Sequence, residues 1–91
     1  SIGTAGKERT ITNVAAGRIS NNSTDAVNGS QLYATQNVMN NIGTSAVGVL
    51  GGNAAIANDG TIKMTDIGGT GERTIHDAIA SIHNSSYKSF S

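Results

Sequence analysis

The sequence predicts an α+β fold in which short β-type segments alternate with two short helices and copies of the chain associate as a homotrimer. Three observations lead to this prediction. Large apolar side chains are few, the two helical stretches carry narrow apolar stripes, and Gly-rich turns separate the helices from residues of β character. Such a chain buries its apolar groups between copies rather than inside one copy.

The composition excludes several classes of protein. Of the 91 residues, 36% are hydrophobic, with one Phe, two Tyr and no Trp, so a monomeric core would be poor. The net charge of zero and the charged fraction of 13% argue against disorder and against nucleic-acid binding. No Cys is present, which rules out a disulfide framework and thiol chemistry. There is neither a signal peptide nor a run of about 18 apolar residues.

The first part of the chain has β character. Residues 1–8 are small and Gly-punctuated, and we expect them to be the end of a preceding module. Residues 9–14 are β-branched and alternating, which predicts a short strand. Gly17 provides a turn, and residues 18–20 are expected to form a brief second extended segment.

A change to helical periodicity follows. Ser23 or Thr24 can cap a single helical turn at 25–28, after which Gly29 permits a change of direction. The main helix is predicted at 30–42.

Gly43 is expected to end this main helix as a C′ glycine. An isolated helix of this length is marginal in water, since about 12–15 residues are needed even with good propensity. The helix therefore requires partners.

The apolar stripe of this helix indicates what the partners are. Its residues lie at steps of three, four and three, which is the spacing of a coiled-coil seam. They are Leu32, Thr35, Met39 and Ile42. Tyr33 and Val38 flank the seam and widen the contact, which favours three strands over two.

Residues 44–73 return to β character. Ala46–Leu50 is a short apolar run, and the segments 54–57 and 61–64 flank a turn at Asp59–Gly60. Asp-Gly between alternating segments is a strong hairpin signal. Further on, Gly68, Gly69 and Gly71 predict a second region of tight turning.

A second helix is predicted at 74–84. Thr74 is suited to cap it, and Asp77 stands at the third position, as in a weak capping box. Ile75, Ile79 and Ile82 repeat the seam spacing, and Ile at such positions favours trimers or higher states. Residues 85–91 are polar and are interpreted as a tail.

The residues that could be given a catalytic or ligand-binding role also have simpler structural interpretations. Gly68–Gly71 before a helix resembles a phosphate-binding loop, but Glu72 stands where a Walker loop requires Lys. His76 and His83 are seven residues apart and lack the spacing of a metal pair. No carboxylate pair or nucleophile–base pair is apparent. We therefore predict no catalytic residue, no metal site and no cofactor, and we expect the protein not to be an enzyme.

Two stretches carry a family resemblance. Ile11–Gly17 together with Ser23–Leu32 closely resembles the neck of trimeric autotransporter adhesins, and most of the specificity lies in Asp25–Asn28 and Ser30–Leu32. Gly68–Ile79 resembles the end of the small β-prism module of that family, often called a GIN domain. The neck-motif residues are Val14, Gly17, Asp25, Ala26, Val27, Asn28, Gln31 and Leu32.

The resemblance implies a parallel homotrimer of intertwined short β-strands, in neck and β-prism, alternating with short coiled-coil helices. It implies the following organisation: neck 9–32, short coiled-coil helix 33–43, GIN-like β-prism 44–73 and coiled-coil stalk start 74–84. Such a segment would connect an adhesive head to its stalk on the surface of a Gram-negative bacterium, for attachment to host cells or matrix. Its membrane anchor would be a C-terminal domain outside this chain.

Two alternatives remain open. The β-rich segment itself could bind host extracellular matrix or a cell-surface receptor, with contributions from Lys63, Glu72 and Arg73. The chain could also belong to a trimeric phage tail fibre, since the physical requirements for a fibre are similar.

Overall fold

The computed structural model describes residues 1–89. Its elements confirm the α+β class, and in chain order they are α1 (Gly29–Leu50), β1 (Ala55–Ile56), β2 (Ile62–Lys63), a 3-10 turn (Ile67–Gly69) and α2 (Ile75–Ser89). The chain divides into two compact units, one of residues 1–38 and one that begins at residue 39. Within the described residues, neither helix is both long and apolar enough to cross a membrane.

The first unit contains no strand before α1. A turn closed by the Thr4–Lys7 bridge and a second turn at 20–23 are its regular features ahead of the helix. The strand predicted at 9–14 is therefore wrong for the single chain, and residues 18–20, which were predicted to be extended, have no regular secondary structure. A strand needs a hydrogen-bonded neighbour, and no other segment of the described chain pairs with these residues. In addition, Asn13 adopts a φ of 62°, which interrupts an extended backbone.

The helical turn predicted at 25–28 is also wrong. Residues 23–28 have no regular secondary structure. The side chains of Asp25 and Asn28 hydrogen-bond to the backbone of Arg18 and Val14 instead, and these longer-range bonds fix the segment in an irregular conformation.

Helix α1 is longer than predicted. It spans Gly29–Leu50, so the expected end at Gly43 is wrong and this glycine lies buried inside the helix. The helix ends at Gly51, whose φ of 69° is the left-handed conformation of a C′ glycine and whose N–H donates to the Val47 carbonyl oxygen at 3.0 Å. The apolar run Ala46–Leu50, placed in the region of predicted β character, is correspondingly helical, and the β-rich segment begins after Leu50 rather than at residue 44.

The space at Gly43 explains its position in the helix. A Cβ at this residue would overlap the Cδ1 atom of Ile56, which belongs to β1. The glycine thus lets the hairpin side chain lie directly against the helix backbone, and this tertiary contact rather than a helix terminus accounts for the residue.

The hairpin predicted around Asp59–Gly60 forms. Strands β1 and β2 pair antiparallel, with Ile56 opposite Ile62, and Gly60 has a φ of 87°. Outside the ladder, Asn53 and Thr65 exchange two hydrogen bonds, with Asn53 Nδ2 donating to Thr65 Oγ1 at 2.8 Å and Thr65 N–H to Asn53 Oδ1 at 3.0 Å. These bonds extend the association of the two arms beyond two very short strands.

Helix α2 begins one residue after Thr74, as the capping prediction requires, but it continues to Ser89 rather than ending near residue 84. Residues 85–89 contain neither Gly nor Pro, so nothing in the sequence stops the helix there. The predicted tail is therefore helical up to Ser89, and the last two residues of that prediction, 90 and 91, lie outside the described residues.

Candidate oligomer interface and the Gln31 latch

Most large apolar side chains of this protein are exposed in the single chain. Among the described residues, Ala78 is the only apolar one that is buried, and no large side chain is fully buried. The accessible surface of the chain is 7774 Å². A compact monomer of 9.2 kDa would expose only about 4,900 Å². The chain therefore has apolar surface to cover and no core of its own.

Apolar side chains, together with Thr35, recur along one face of α1, and we call this line the α1 seam. Its steps of three and four residues persist through the helix, so the seam consists of Leu32, Thr35, Met39, Ile42, Ala46 and Val49. Leu32, Met39 and Ile42 are each 62–63% exposed, and Val49 is 87% exposed. The hydroxyl of Thr35 donates to the Gln31 carbonyl oxygen of its own helix at 3.3 Å, so this polar seam residue has a partner.

The second helix carries a shorter line, the α2 seam, formed by Ile75, Ile79 and Ile82. These three side chains are 55–61% exposed, while Ala78 beside them is covered. The Thr74 hydroxyl oxygen accepts the N–H of Asp77 at 3.0 Å, which satisfies an otherwise free donor of the first turn. The cap fixes where the helix begins and hence the position of the first seam residue.

The start of α1 is fixed by a capping box. Asn28 is the N-cap residue, and its Oδ1 atom accepts the N–H of Gln31 at 3.2 Å. In return, the Oε1 atom of Gln31 accepts the N–H of Asn28 at 3.1 Å. This reciprocal pair satisfies two free donors at the helix start. The Ser30 hydroxyl adds a third bond, donating to Asn28 Oδ1 at 2.8 Å.

The same two side chains reach fourteen residues back along the sequence. Gln31 Oε1 accepts the Gly17 N–H and Gln31 Nε2 donates to the Gly17 carbonyl oxygen, both at 2.8 Å. Asn28 Nδ2 donates to the Val14 carbonyl oxygen at 2.9 Å. The Gln31 carboxamide thus pairs with Gly17 as a neighbouring strand would. We call the bonds among Val14, Gly17, Asn28 and Gln31 the Gln31 latch.

Residue 17 is a glycine because its backbone passes very close to the backbone of Ala26. A Cβ at Gly17 would overlap the Ala26 carbonyl oxygen and would lie 3.1 Å from the Asp25 Cβ. Asp25 holds the other side of this approach, since its Oδ2 atom accepts the Arg18 N–H at 2.8 Å. Any side chain at residue 17 would therefore push the two segments apart.

An open groove lies next to the latch. Its volume is about 510 Å³, and it is lined by Ile11–Val14 and Ala26–Ser30. Ile11 and Val27 line it while remaining more than half exposed, and Val14 is half-buried. The groove presents apolar side chains of the neck motif that nothing in the single chain covers.

The turn residues singled out from the sequence lie in the second unit. Asp59 Oδ1 accepts the Thr61 N–H at 3.0 Å, and hydrogen bonds from the side chain and backbone of Thr61 lower the pKa of the Asp59 carboxyl below its usual value. Gly68, Gly69 and Gly71 all have φ values between 61° and 79°. Their loop is closed by Asp66, whose Oδ1 atom accepts the Gly71 N–H at 2.8 Å.

These features stabilise the backbone and do not assemble reacting groups. Among residues 1–89, no three His, Cys, Asp or Glu side chains lie close enough together to hold a metal ion. The arrangement is suited to holding an extended chain in a fixed path and to presenting two apolar seams.

Sequence reasoning missed two seam residues and two tertiary contacts. Ala46 and Val49 continue the seam spacing, and the signal was present in their steps of four and three from Ile42. The contact between Ile56 and Gly43 had no local signal. The pairing of Gln31 with Gly17 was not foreseen because it joins positions fourteen apart.

Comparison with known proteins agrees with this geometry. A family model described as the coiled stalk of trimeric autotransporter adhesin matches residues 10–63. The trimeric autotransporter adhesin AtaA of Acinetobacter sp. (strain Tol 5) is 47% identical over 79 residues, which cover 86% of this chain and 2% of that protein. The autotransporter adhesin BtaE of Brucella suis biovar 1 (strain 1330) is 67% identical over 42 residues, which cover 46% of this chain and 6% of that protein.

A solved structure is similar as well. The C-terminal YadA-like domain of BPSL2063 from Burkholderia pseudomallei aligns with a TM-score of 0.53 and 42% identity, over 67% of this chain and 31% of that one. The family model covers more than half of the chain. This chain therefore belongs to the coiled-stalk family of trimeric autotransporter adhesins.

Proposed function

We propose that three parallel copies of this chain bury the α1 and α2 seams about a common axis, forming a connector between the head and the stalk of a surface adhesin. The observation that carries the proposal is the exposed seam itself. Fully covering a side chain such as Leu32 or Ile42 stabilises by about 1.5–3 kcal/mol relative to leaving it in water. Because these side chains are roughly 60% exposed, association recovers most of that amount.

Three chains fit the seams better than two. Ile occupies every position of the α2 seam, a choice that favours trimers or higher states. Family membership supports the same number, since the related adhesins are named as trimeric. In a parallel arrangement each seam residue meets its own copies, so the register is set where the helices begin, at Asn28 and Thr74.

The segment 9–32 is proposed to be the neck, in which the chain passes from a wider head to the narrower coiled coil. The Gln31 latch fixes the path of each chain as it enters α1. Val14, Ile19 and Val27 then pack between chains, and the groove beside the latch supports this packing because its apolar lining is uncovered in the single chain. Strand exchange between chains would give the backbone of residues 9–13 a neighbouring strand, which it lacks among the described residues.

The residues from Gly51 to Arg73 are proposed to form a small GIN-like β-prism in the trimer. Each chain would supply one short hairpin, seated on its own helix at Gly43. Ile56 and Ile62 remain 47% and 36% exposed, so the hairpin has apolar surface left for neighbouring chains. After the prism, α2 returns the chains to a coiled coil.

We further propose that the parent protein is displayed on a bacterial outer membrane and that this segment acts mechanically, as a spacer for an adhesive head. The names of the related proteins, autotransporter adhesins of Acinetobacter and Brucella, support the location and the purpose. The chain spans only a few per cent of their length, so the adhesive activity and its ligand belong to the proposal.

The test is the oligomeric state of seam variants, measured by sedimentation equilibrium. We expect the wild-type chain to sediment as a trimer and Val49→Asp to dissociate at the same concentration, because three carboxylates would meet at the axis. Asn40→Asp adds the same charge to α1 away from the seam, and it should leave the trimer intact. A wild-type chain that remains a folded monomer at high concentration would rule out the proposal.

A further inference from the structure

The neck motif contains a peptide bond with an intrinsic chemical weakness. Asn28–Gly29 is the only Asn-Gly pair in the sequence. Glycine has no Cβ to shield its backbone nitrogen, so an Asn before Gly is the kind most prone to deamidation. The pair lies at the start of α1, within the Gln31 latch.

The reaction needs only water. The Gly29 backbone nitrogen attacks the Asn28 Cγ, forming a C–N bond, while the Cγ–Nδ2 bond breaks and ammonia leaves with the amide proton. The resulting succinimide then takes up water at either carbonyl. Opening at one carbonyl gives Asp at position 28, and opening at the other gives an isoaspartyl residue whose main chain is longer by one methylene.

The nucleophile is not restrained. Gly29 is the first residue of α1, and an N–H in the first turn has no carbonyl partner within its helix. Protection against the reaction therefore depends on the Asn28 side chain.

Hydrogen bonds hold both the oxygen and the nitrogen atom of the Asn28 side-chain amide. Asn28 Oδ1 accepts from Gln31 N–H and from the Ser30 hydroxyl, at 3.2 Å and 2.8 Å. Asn28 Nδ2, the leaving nitrogen, donates to the Val14 carbonyl oxygen at 2.9 Å. Rotation of Cγ toward its own Gly29 nitrogen would break all three bonds, so the closed latch opposes the geometry that the attack requires.

We propose that Asn28 is a latent deamidation site guarded by the Gln31 latch, so that sustained opening of the latch becomes irreversible. The Asp product has no N–H to donate to Val14 and places a carboxylate against that carbonyl oxygen. The isoaspartyl product also displaces the N-cap from the helix start. Either product abolishes the bond from residue 28 to the Val14 carbonyl oxygen, so the complete latch cannot form again, and the modification would record neck segments that have opened.

The test follows deamidation at Asn28 by peptide mapping and mass spectrometry during incubation of the full chain at mildly alkaline pH. We expect the folded wild-type chain to react about tenfold or more slowly than the same chain in denaturant, because opening breaks several hydrogen bonds at once. Gln31→Leu leaves the three bonds of the Asn28 side chain in place but removes the two bonds that hold Gly17, and with it the segment of Val14, beside Asn28. It should therefore react faster than the folded wild-type chain. Asn22, whose Oδ1 atom accepts from the Ser20 hydroxyl at 2.9 Å in the exposed turn at 20–23, serves as an internal reference whose rate should be the same in the folded wild-type and Gln31→Leu chains.

A matched variant separates the chemistry from the fold. Gly29→Ala adds a Cβ that has no neighbour within 4 Å in the chain, so the helix start should be retained. It should slow deamidation in both folded and denatured chains, and it should also suppress the acceleration in a Gln31→Leu background. The proposal is overturned if the wild-type chain, with its helicity verified by circular dichroism, reacts as fast as the denatured chain, or if Gln31→Leu reacts no faster than wild type.

Discussion

The close approach between Gly17 and Ala26 predicts that a side chain at residue 17 destabilises the protein. Gly17→Ala introduces one methyl group, which would overlap the Ala26 carbonyl oxygen and press on the Asp25 Cβ. The φ of Gly17 lies outside the left-handed range, so alanine can adopt the backbone conformation without strain. The whole effect of the substitution therefore comes from the steric contact.

The loss of stability in Gly17→Ala can be worked out from the hydrogen bonds that break when the backbone moves to relieve the overlap. To relieve the overlap, the segment around residue 17 has to withdraw from Ala26, and it also withdraws from the Gln31 carboxamide. Both 2.8 Å bonds to Gln31 are then lost. Two net hydrogen bonds correspond to about 1–3 kcal/mol per chain. For a domain of this size, that loss lowers the melting temperature by about 5–20 °C.

Thermal unfolding followed by far-ultraviolet circular dichroism, at one fixed chain concentration, measures this loss. Gly48→Ala is the matched control, because it is the same chemical change at a helical glycine with nothing within 4 Å. Alanine in the helix interior should stabilise by about 0.5–1 kcal/mol per chain. The two variants are thus expected to shift the melting temperature in opposite directions. If Gly17→Ala melts at or above the wild-type temperature, the latch does not depend on the close approach.

Two further predictions concern the second unit. Gly43→Ala should change stability by less than about 1 kcal/mol per chain, because Ile56 Cδ1, the end of a flexible side chain, must move aside while alanine adds about 0.5–1 kcal/mol of helix propensity. In an Ile56→Ala background the same substitution should be more stabilising, as measured in a double-mutant cycle of chemical denaturation. The lowered pKa of Asp59 means that its contribution to stability is present above the usual carboxyl range and is lost as the pH falls through the folded-state value. Asp59→Asn should therefore flatten the acid side of the curve of melting temperature against pH, and an unchanged curve would contradict this role.

The features that could be predicted from the sequence are those specified by residues that lie close together along the chain. The seams of α1 and α2, the cap at Thr74 and the hairpin at Asp59–Gly60 are all specified by residues within a few positions of each other. Gly43 shows where local reasoning fails. A glycine after a helical stretch predicts a C′ residue, and only the contact with Ile56, thirteen positions away, shows that this one is an interior packing site.

The residues of the neck motif could be recognised in the sequence, but the long-range hydrogen bonds that they form could not. Asn28 and Gln31 have the spacing of a capping box, which is a local signal. Their second set of partners, Val14 and Gly17, lies across a fourteen-residue separation with no regular secondary structure to bridge it. A strand was predicted at 9–14 from β-branched residues, yet no segment among residues 1–89 pairs with it. The β propensity of residues 9–14 indicates a strand but does not indicate which segment would pair with it.

The latch and the seams act at different levels of assembly, and this makes them separable. Every latch bond joins residues of one chain, so a latch variant changes the stability of each neck without removing the seam contacts between copies. A seam variant removes contacts that exist only between copies. Unfolding that is coupled to dissociation has a melting temperature that rises with chain concentration. Latch variants should therefore melt lower at every concentration while keeping that rise, whereas seam variants that abolish association should lose it. The concentration dependence, rather than the size of the destabilisation, identifies which element a substitution has damaged.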